Sequence, residues 1–372
     1  MIPQSHTSTG PTRRERIGDA AAIDLLHRMV QIRSHSGEES ELARFLAMRT
    51  GELGMQSRID DAGNAVASVG RADAARVIVL LGHMDTVPGA IPVRFEDDLL
   101  HGRGTVDAKG PLATFIIAAA NADLPPGVRI DVIGAVEEEC ATSRGARHVA
   151  RSPAPAACII GEPSAWNGVT LGYKGRLLID GVVRQPSAHS AGPHATAADR
   201  AVAWWTGITR WVESRNAGVE RVFDRVQAGI RSMRSDSDGL EDFAQLTAGF
   251  RLPPTVAPDE LEAACRAFAE GIDVTARGHE FAHVADRSNP VVRALSGSIR
   301  AAGSRPTLQV KTGTSDMNVV GPVWRCPIAA YGPGDSALDH TPREHIRISE
   351  YLTACRVLRD ALERLSAELV GP

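Results

Sequence analysis

The amino-acid sequence predicts an α/β fold carrying an inserted α+β unit, and three observations support that expectation. Short apolar runs rich in β-branched residues alternate with helical patterns early in the chain. A middle stretch changes to alternation of apolar and polar side chains, and the last part returns to the first texture. At 372 residues the chain exceeds what one hydrophobic core usually organises, so two structural units are expected.

Residues 1–12 are dominated by Ser, Thr, Gly and Pro, bury little, and are expected to form a disordered tail. A helical pattern begins near Asp19 with Ile23, Leu26 and Val30 on one face, and a second covers about 38–53. Residues 76–82, RVIVLLG, form a continuous apolar run of the kind seen in strands buried on both faces. Similar runs follow at 128–136 and 157–160, and a helical segment at 111–122 separates the first two, a βαβ rhythm. From 177 to 183 the pattern alternates, and a Trp-containing helix covers about 196–214. Alternating stretches near 221–233 and 245–252, a helix after Pro258 and a strand near 272–276 complete the middle section. The order strand-helix-strand-strand-helix-strand is that of a ferredoxin-like unit. The expected organisation is therefore a first part at 1–177, an insert at 178–283, and a second part of the first unit at 284–372.

Composition excludes several classes. Charged residues make up 23% and hydrophobic residues 43%, ordinary for a globular chain, and no apolar run is long enough for a bilayer, so a soluble protein is expected. A net charge of -4 leaves no footprint for nucleic acid. The polar N-terminal residues lack the apolar segment of a secretory signal, which implies a cytoplasmic location. Five widely spaced cysteines without a C-x-x-C pair read as reduced thiols. Of 41 basic residues only Lys109, Lys174 and Lys311 are lysines, and each sits beside Gly or Thr in a compact motif (DAKG, GYKG, KTGT), where size and geometry disfavour arginine.

Chemistry is concentrated where the apolar runs end. His83 and Asp85 follow one run, Glu137, Glu138 and Glu139 another, and Glu162 a third; Asp107 lies in GRGTVDAKG just before a helix. In open α/β sheets the carboxyl ends of the strands face the ligand crevice, so these groups are expected to converge. Three adjacent ionised glutamates repel one another in a low-dielectric site, and a bound cation is the simplest remedy. Imidazole and carboxylate donors without thiolate suit zinc, with cobalt or manganese as alternatives. Alone, a His beside Gly is an ordinary turn residue and a glutamate run a solvated helix start; joint placement at strand ends is what indicates a site. Two serine-hydrolase signatures carry less weight. AHSAG at 188–192 is interrupted by Pro193, and KTG at 311–313 lacks the upstream S-x-x-K such enzymes need.

GHMDTVPG at 82–89, GRGTVDAKG at 102–110, the glutamate run, GEPS at 161–164, GTSD at 313–316 and GPG with a later His340 together resemble the zinc-dependent aminoacylase and carboxypeptidase family. That family includes acetylornithine deacetylase, succinyl-diaminopimelate desuccinylase and glutamate carboxypeptidase. VDAKGPLATFI, GEPSAWNGVTLGYKGRL and KTGTSDMN are most similar to its members that release lysine or ornithine from an amino-group carrier protein. The resemblance implies a zinc-exopeptidase-like α/β catalytic domain, with a mixed sheet flanked by helices, and a ferredoxin-like insert serving as dimerisation and lid domain. It implies two Zn2+, one held by His83, Asp107 and Glu162, the other by Asp107, Glu139 and His340, with Asp85 orienting His83.

The family usually has Asp-Glu-Glu where this chain has Glu137-Glu138-Glu139, which makes Glu138 the general base; a one-residue shift would give that role to Glu137. His189 resembles the histidine that crosses a dimer interface to the oxyanion. Arg251, in GFRLPP, resembles the residue that binds a substrate carboxylate, and Thr314, Ser315 and Asp316 correspond to the amino-acid pocket. The partners implied are a small acidic carrier protein and a second copy of the chain, with neither nucleic acid nor membrane involved. A small-molecule deacylase, a dipeptidase, and a non-catalytic metal-binding scaffold are the alternatives.

Overall fold

The structure is a computed structural model that describes residues 16–189 and 191–371; the expected tail at 1–12 lies outside them. The chain opens with helices α1 (Asp19–Gln31) and α2 (Ser40–Glu52), followed by strands β1 (Gln56–Ile59), β2 (Ala65–Gly70) and β3 (Arg76–His83). Short strands β4 (Arg94–Glu96) and β5 (Leu99–His101) lead to α3 (Lys109–Asn121), β6 (Val128–Ala135), α4 (Arg144–Val149), β7 (Ala157–Gly161) and β8 (Gly168–Tyr173). The middle section is β9 (Gly175–Pro186), α5 (Ala197–Arg215), β10 (Gln227–Ser237), β11 (Glu241–Leu252), α6 (Pro258–Ala267) and β12 (Asp273–Glu280). The remainder comprises β13 (His283–Val284), α7 (Pro290–Ala301), β14 (Thr307–Lys311), α8 (Met317–Trp324), β15 (Ile328–Tyr331), β16 (His345–Arg347) and α9 (Ile348–Leu369).

A nine-stranded mixed sheet runs β1-β2-β6-β3-β7-β15-β8-β13, with β14 also paired to β8. Its centre, β6-β3-β7-β15, is parallel. These strands are the continuous apolar runs, because helices cover both their faces. On one face Leu25, Met29, Leu112, Phe115, Ile299 and Leu358 from α1, α3, α7 and α9 join the core; on the other, Val149 from α4 and Val320 and Trp324 from α8 pack on Val79 and Leu81. Helix α3 is apolar all round and buried from Lys109 to Ala119, as a helix enclosed by sheet and other helices must be.

The middle section forms a separate antiparallel sheet, β10-β11-β9-β12. Burial alternates along β9, whose Leu177 and Ile179 face Trp204 and Ile208 of α5 and Leu261 of α6. A capping box between Thr196 and Asp199 starts α5. Gly181 is required beneath that helix, since a Cβ there would lie 2.3 Å from the Trp204 ring. The element order agrees with the expected ferredoxin-like arrangement. One detail differs: residues 221–226 are not strand but contain a short 3-10 turn at Val222–Asp224. The buried Lys174 ammonium holds that turn by donating to the carbonyls of Val222 (2.7 Å) and Arg225 and to Gln227 Oε1 (3.0 Å). Among the described residues no helix is long and apolar enough to cross a membrane.

Candidate metal centre and substrate cleft

Three parallel neighbours set the site. Gly82, Gly134 and Gly161 stand abreast on β3, β6 and β7. A Cβ at Gly134 would meet Leu112 at 3.1 Å and one at Gly161 would meet the Phe115 ring at 3.0 Å, so the glycines let α3 sit close against the strand ends. Just beyond them the chain presents His83 and Asp85, then Glu137 to Glu139, then Glu162. Asp107, immediately before α3, projects over them. His340 comes from the loop after β15.

His83 Nε2 lies 3.3 Å from Asp107 Oδ1, and His340 Nε2 lies 3.0 Å from both Asp107 Oδ2 and Glu139 Oε1. Potential donor atoms of His83, Asp107 and Glu162 fall within 4.8 Å of one another, and so do those of Asp107, Glu139 and His340. All five residues expected as metal ligands are therefore gathered in two groups that share Asp107. The donor set can be tested for fit. His83 Nδ1 is 3.0 Å from the Asp85 carbonyl, which fixes the proton there, and leaves the buried Nε2 without a hydrogen-bond partner, its lone pair directed into the cluster. That orphaned nitrogen among carboxylates fits a divalent cation.

Electrostatics agree. Burial pushes the Glu138 carboxyl well above its ordinary range, and Glu162, Asp316 and Glu139 add to this against the pull of His83. Burial also raises Glu162, with Asp107 adding. Asp107 would rise by burial as well, but contacts with His340 and His83 outweigh it and hold it low. Its contacts with Asp107 and Glu139 raise His340 to about 10. Without a cation, the cluster must hold protons to limit its own repulsion.

Asp85 has more partners than the histidine alone. Its carboxylate accepts from Ser36 Oγ (2.7 Å) and from the backbone N–H groups of Glu138 (3.0 Å) and Glu139 (2.9 Å), so it fixes the whole glutamate loop. In that loop Glu137, at φ +60°, turns away: its carboxylate accepts from Arg144 Nε (2.6 Å) and Thr142 Oγ1 (2.5 Å). Glu138 and Glu139 line the cleft, and Glu137 does not.

The cleft has a volume of about 820 Å³ and lies between the metal cluster and the inner face of the second sheet. Arg251 lines it and donates to Thr314 Oγ1 at 2.5 Å. Thr314 lines it too, whereas Ser315 and Asp316 are buried behind it. Burial pushes Asp316 up to about 7, and both its carboxylate oxygens lack hydrogen-bond partners among the described residues. His189 is exposed, its Nδ1 accepting from the Ala191 N–H, and lies outside this cleft.

Sequence reasoning missed several supports. Glu344 is fully buried, and its Oε1 accepts from the backbone N–H groups of Val106 (3.0 Å) and Asp107 (3.1 Å), while Oε2 pairs with Arg103 (2.8 Å). Nothing in its neighbourhood marks it, because it acts on a loop some 240 residues away. Asp339 also lines the cleft, and burial with the nearby Asp107 charge raises it to about 8. Its adjacency to His340 was the available signal. The lysines find their reason here: Lys109 Nζ donates to the Ile32 carbonyl (2.7 Å) and Lys311 Nζ to that of Pro163, so each of the three fastens a motif to a distant backbone segment.

Two donor triads sharing a carboxylate at the parallel strand ends of an α/β sheet define a metal-dependent hydrolase. The chain belongs to peptidase family M20/M25/M40, whose profile matches residues 79–364. It is 47% identical over 355 residues to the LysW-lysine hydrolase of Deinococcus radiodurans, covering 93% of this chain and 97% of that one. It is 29% identical over 343 residues to the LysW-lysine/LysW-ornithine hydrolase of Sulfurisphaera tokodaii, covering 92% and 95%. The fold superposes on an M20 family metallo-carboxypeptidase of Sulfolobus solfataricus with a TM-score of 0.76 at 16% identity, over 93% of this chain and 99% of that one.

Proposed function

We propose that the protein is a cytoplasmic, homodimeric two-zinc amidohydrolase that releases lysine, ornithine or a related amino acid from the C-terminal glutamate of a small acidic amino-group carrier protein, without nucleic acid or membrane as partner. The observation that carries the hydrolytic part is the pair of ligand triads hinged on Asp107 beside Glu138. The carrier part is supported by 47% identity to the LysW-lysine hydrolase over nearly the whole chain. Residues 1–177 and 284–372 form the catalytic unit in this reading, and 178–283 the inserted dimerisation and lid unit.

His83, Asp107 and Glu162 would hold one ion and Asp107, Glu139 and His340 the other; zinc suits two imidazoles with carboxylates, and cobalt or manganese suits the same donors. Bound zinc supplies Lewis acidity, polarising the acyl carbonyl and acidifying water. Glu138 takes the proton from the attacking water and delivers it to the leaving amine nitrogen. Its cleft position supports this role, and the pairing of Glu137 with Arg144 and Thr142 argues against the shifted register. Arg251 holds a substrate carboxylate, with Thr314 fixing the guanidinium and Ser315 and Asp316 backing the pocket wall. His189 of the partner subunit donates to the carbonyl oxygen as it gains charge, a role supported by its exposure and its absence from its own cleft.

The test compares carrier-linked lysine and ornithine with acetylornithine as substrates of protein whose metal content has been measured. Efficient turnover of the carrier-linked compounds, abolished in Glu138→Gln with metal retained, is expected. Turnover of acetylornithine alone would reject the carrier reading, and an active Glu138→Gln would reject the base.

A further inference from the structure

We propose that Arg231 forms a subsite for the free α-carboxylate of the carrier's terminal glutamate, a second anion position beside Arg251; the assignment rests on the carrier reading above. Each strand of the second sheet contributes one arginine to the lining of the cleft: Arg176 on β9, Arg231 on β10, Arg251 on β11 and Arg277 on β12. Two are neutralised in place. Arg176 Nε donates to Glu280 Oε2 at 3.2 Å, and Arg277 pairs with Asp180. Among the described residues Arg231 and Arg251 have no carboxylate partner. Burial, with Arg176 and Arg231 close by, pulls the Arg251 guanidinium down to about 10 against the opposing pull of Glu138 and Glu280.

Arg231 is placed by two local features. The β10–β11 ladder pairs Ile230 with Ala248 and then Ser232 with Thr247, so Arg231 is the extra residue of a bulge. A bulge re-aims the side chain it carries. Beneath its side chain lies Gly249, the ladder partner of Gly229, where a Cβ would fall 2.7 Å from Arg231 Nε and 3.2 Å from its Cγ. The glycine thus leaves a bed in which the arginine lies flat on the cleft face. A solvated edge-strand arginine needs neither the bulge nor the glycine.

The substrate supplies the matching charges. When the side-chain carboxyl of a C-terminal glutamate is joined to the α-amine of lysine or ornithine, two carboxylates remain beside the scissile carbonyl. One belongs to the amino acid to be released, the other to the glutamate itself. Arg251, deeper and fixed by Thr314, takes the first. Arg231, on the exposed edge strand, takes the second, because the glutamate continues into a carrier that stays outside. An N-acetyl amino acid offers only one carboxylate, so this subsite separates carrier-linked from acetylated substrates.

Two peptide substrates test the assignment: a short peptide ending in glutamate with lysine on its side-chain carboxyl, its terminal α-carboxylate either free or converted to the carboxamide. Wild type is expected to prefer the free acid by about tenfold or more in kcat/KM, chiefly through KM, as loss of a charge-assisted hydrogen bond predicts. Arg231→Gln should reduce that preference to about twofold or less, and Arg231→Lys should keep part of it. Arg251→Gln should slow both substrates and preserve the preference. A ratio measured on one preparation is independent of the folded fraction, so misfolding cannot imitate the result. A wild type indifferent to the carboxamide, or an Arg231→Gln enzyme with the wild-type ratio, overturns the subsite. A wild type that hydrolyses acetylornithine but neither peptide overturns the carrier reading, and the subsite with it.

Discussion

Replacing Glu344 by alanine tests how the shared aspartate is held. The carboxylate is fully buried and supports three donors, the backbone N–H groups of Val106 and Asp107 and the Arg103 guanidinium. Truncation leaves each buried donor unpaired at about 1–3 kcal/mol, and breaking a buried ion pair costs roughly 3–5 kcal/mol. These overlap rather than add, so a loss of about 3–5 kcal/mol is expected from urea unfolding of the metal-free protein. Glu344→Gln keeps an acceptor for both N–H groups but loses the charge and the Oε2 acceptor of Arg103, so a smaller loss of about 1.5–3 kcal/mol is expected for it. The functional readout is metal stoichiometry by elemental analysis after dialysis against a weak chelator. Since the lost bonds position Asp107, Glu344→Ala should retain fewer ions than wild type, and Glu344→Gln nearly the full complement. If Glu344→Ala matches wild type in both stability and metal retention, the reasoning is refuted.

Other predictions follow from the same contacts. Asp85→Ala should weaken metal binding by about 10–100-fold in a competition titration, because the glutamate loop loses two backbone anchors and His83 loses the carboxylate 3.4 Å from its Nδ1, keeping only the carbonyl of residue 85. His189→Ala should lower kcat by about 100-fold or more while leaving metal content unchanged, and an inactive His189→Ala subunit should be complemented in mixed dimers by a Glu138→Gln subunit. Burial pushes the Lys174 ammonium down to about 8, so the folded state binds fewer protons than the unfolded state from there up to the ordinary lysine value of 10.5. Stability of wild type relative to Lys174→Met should therefore rise with pH over that interval. A flat difference between the two unfolding curves would contradict it.

The parts of the fold most legible in the sequence are those where one physical cause dominates. Strands β3, β6 and β7 are covered on both faces and read as apolar runs, that of β6 interrupted by Arg129 and Asp131, and candidate ligand residues stand at or follow their ends. The alternation of β9 announced a sheet with one open face. Less legible were β1, whose four residues are all exposed, and β8, whose two glycines weaken any strand pattern. The turn at residues 221–226 was read as strand because its geometry is imposed by Lys174 from the sheet junction rather than by its own composition. The candidate metal cluster was legible through motifs, whereas Glu344 and Arg231 were not, since a lone charged residue signals nothing until the fold brings it to a loop or a bulge. Ser315 and Asp316 show the converse: the motif identified the neighbourhood, but only Thr314 reaches the cleft surface.

The scarcity of lysine has a practical corollary. Two of the chain's three ammonium groups, Lys109 and Lys174, are almost wholly enclosed and bound to carbonyl oxygens. Of the three lysine side chains, amine-directed reagents such as succinimidyl esters therefore reach chiefly Lys311 on the native fold. Acylation of Lys174 can proceed only when the strap at 222–227 releases its ammonium, so its labelling rate, read by peptide mass, clocks how often that strap opens.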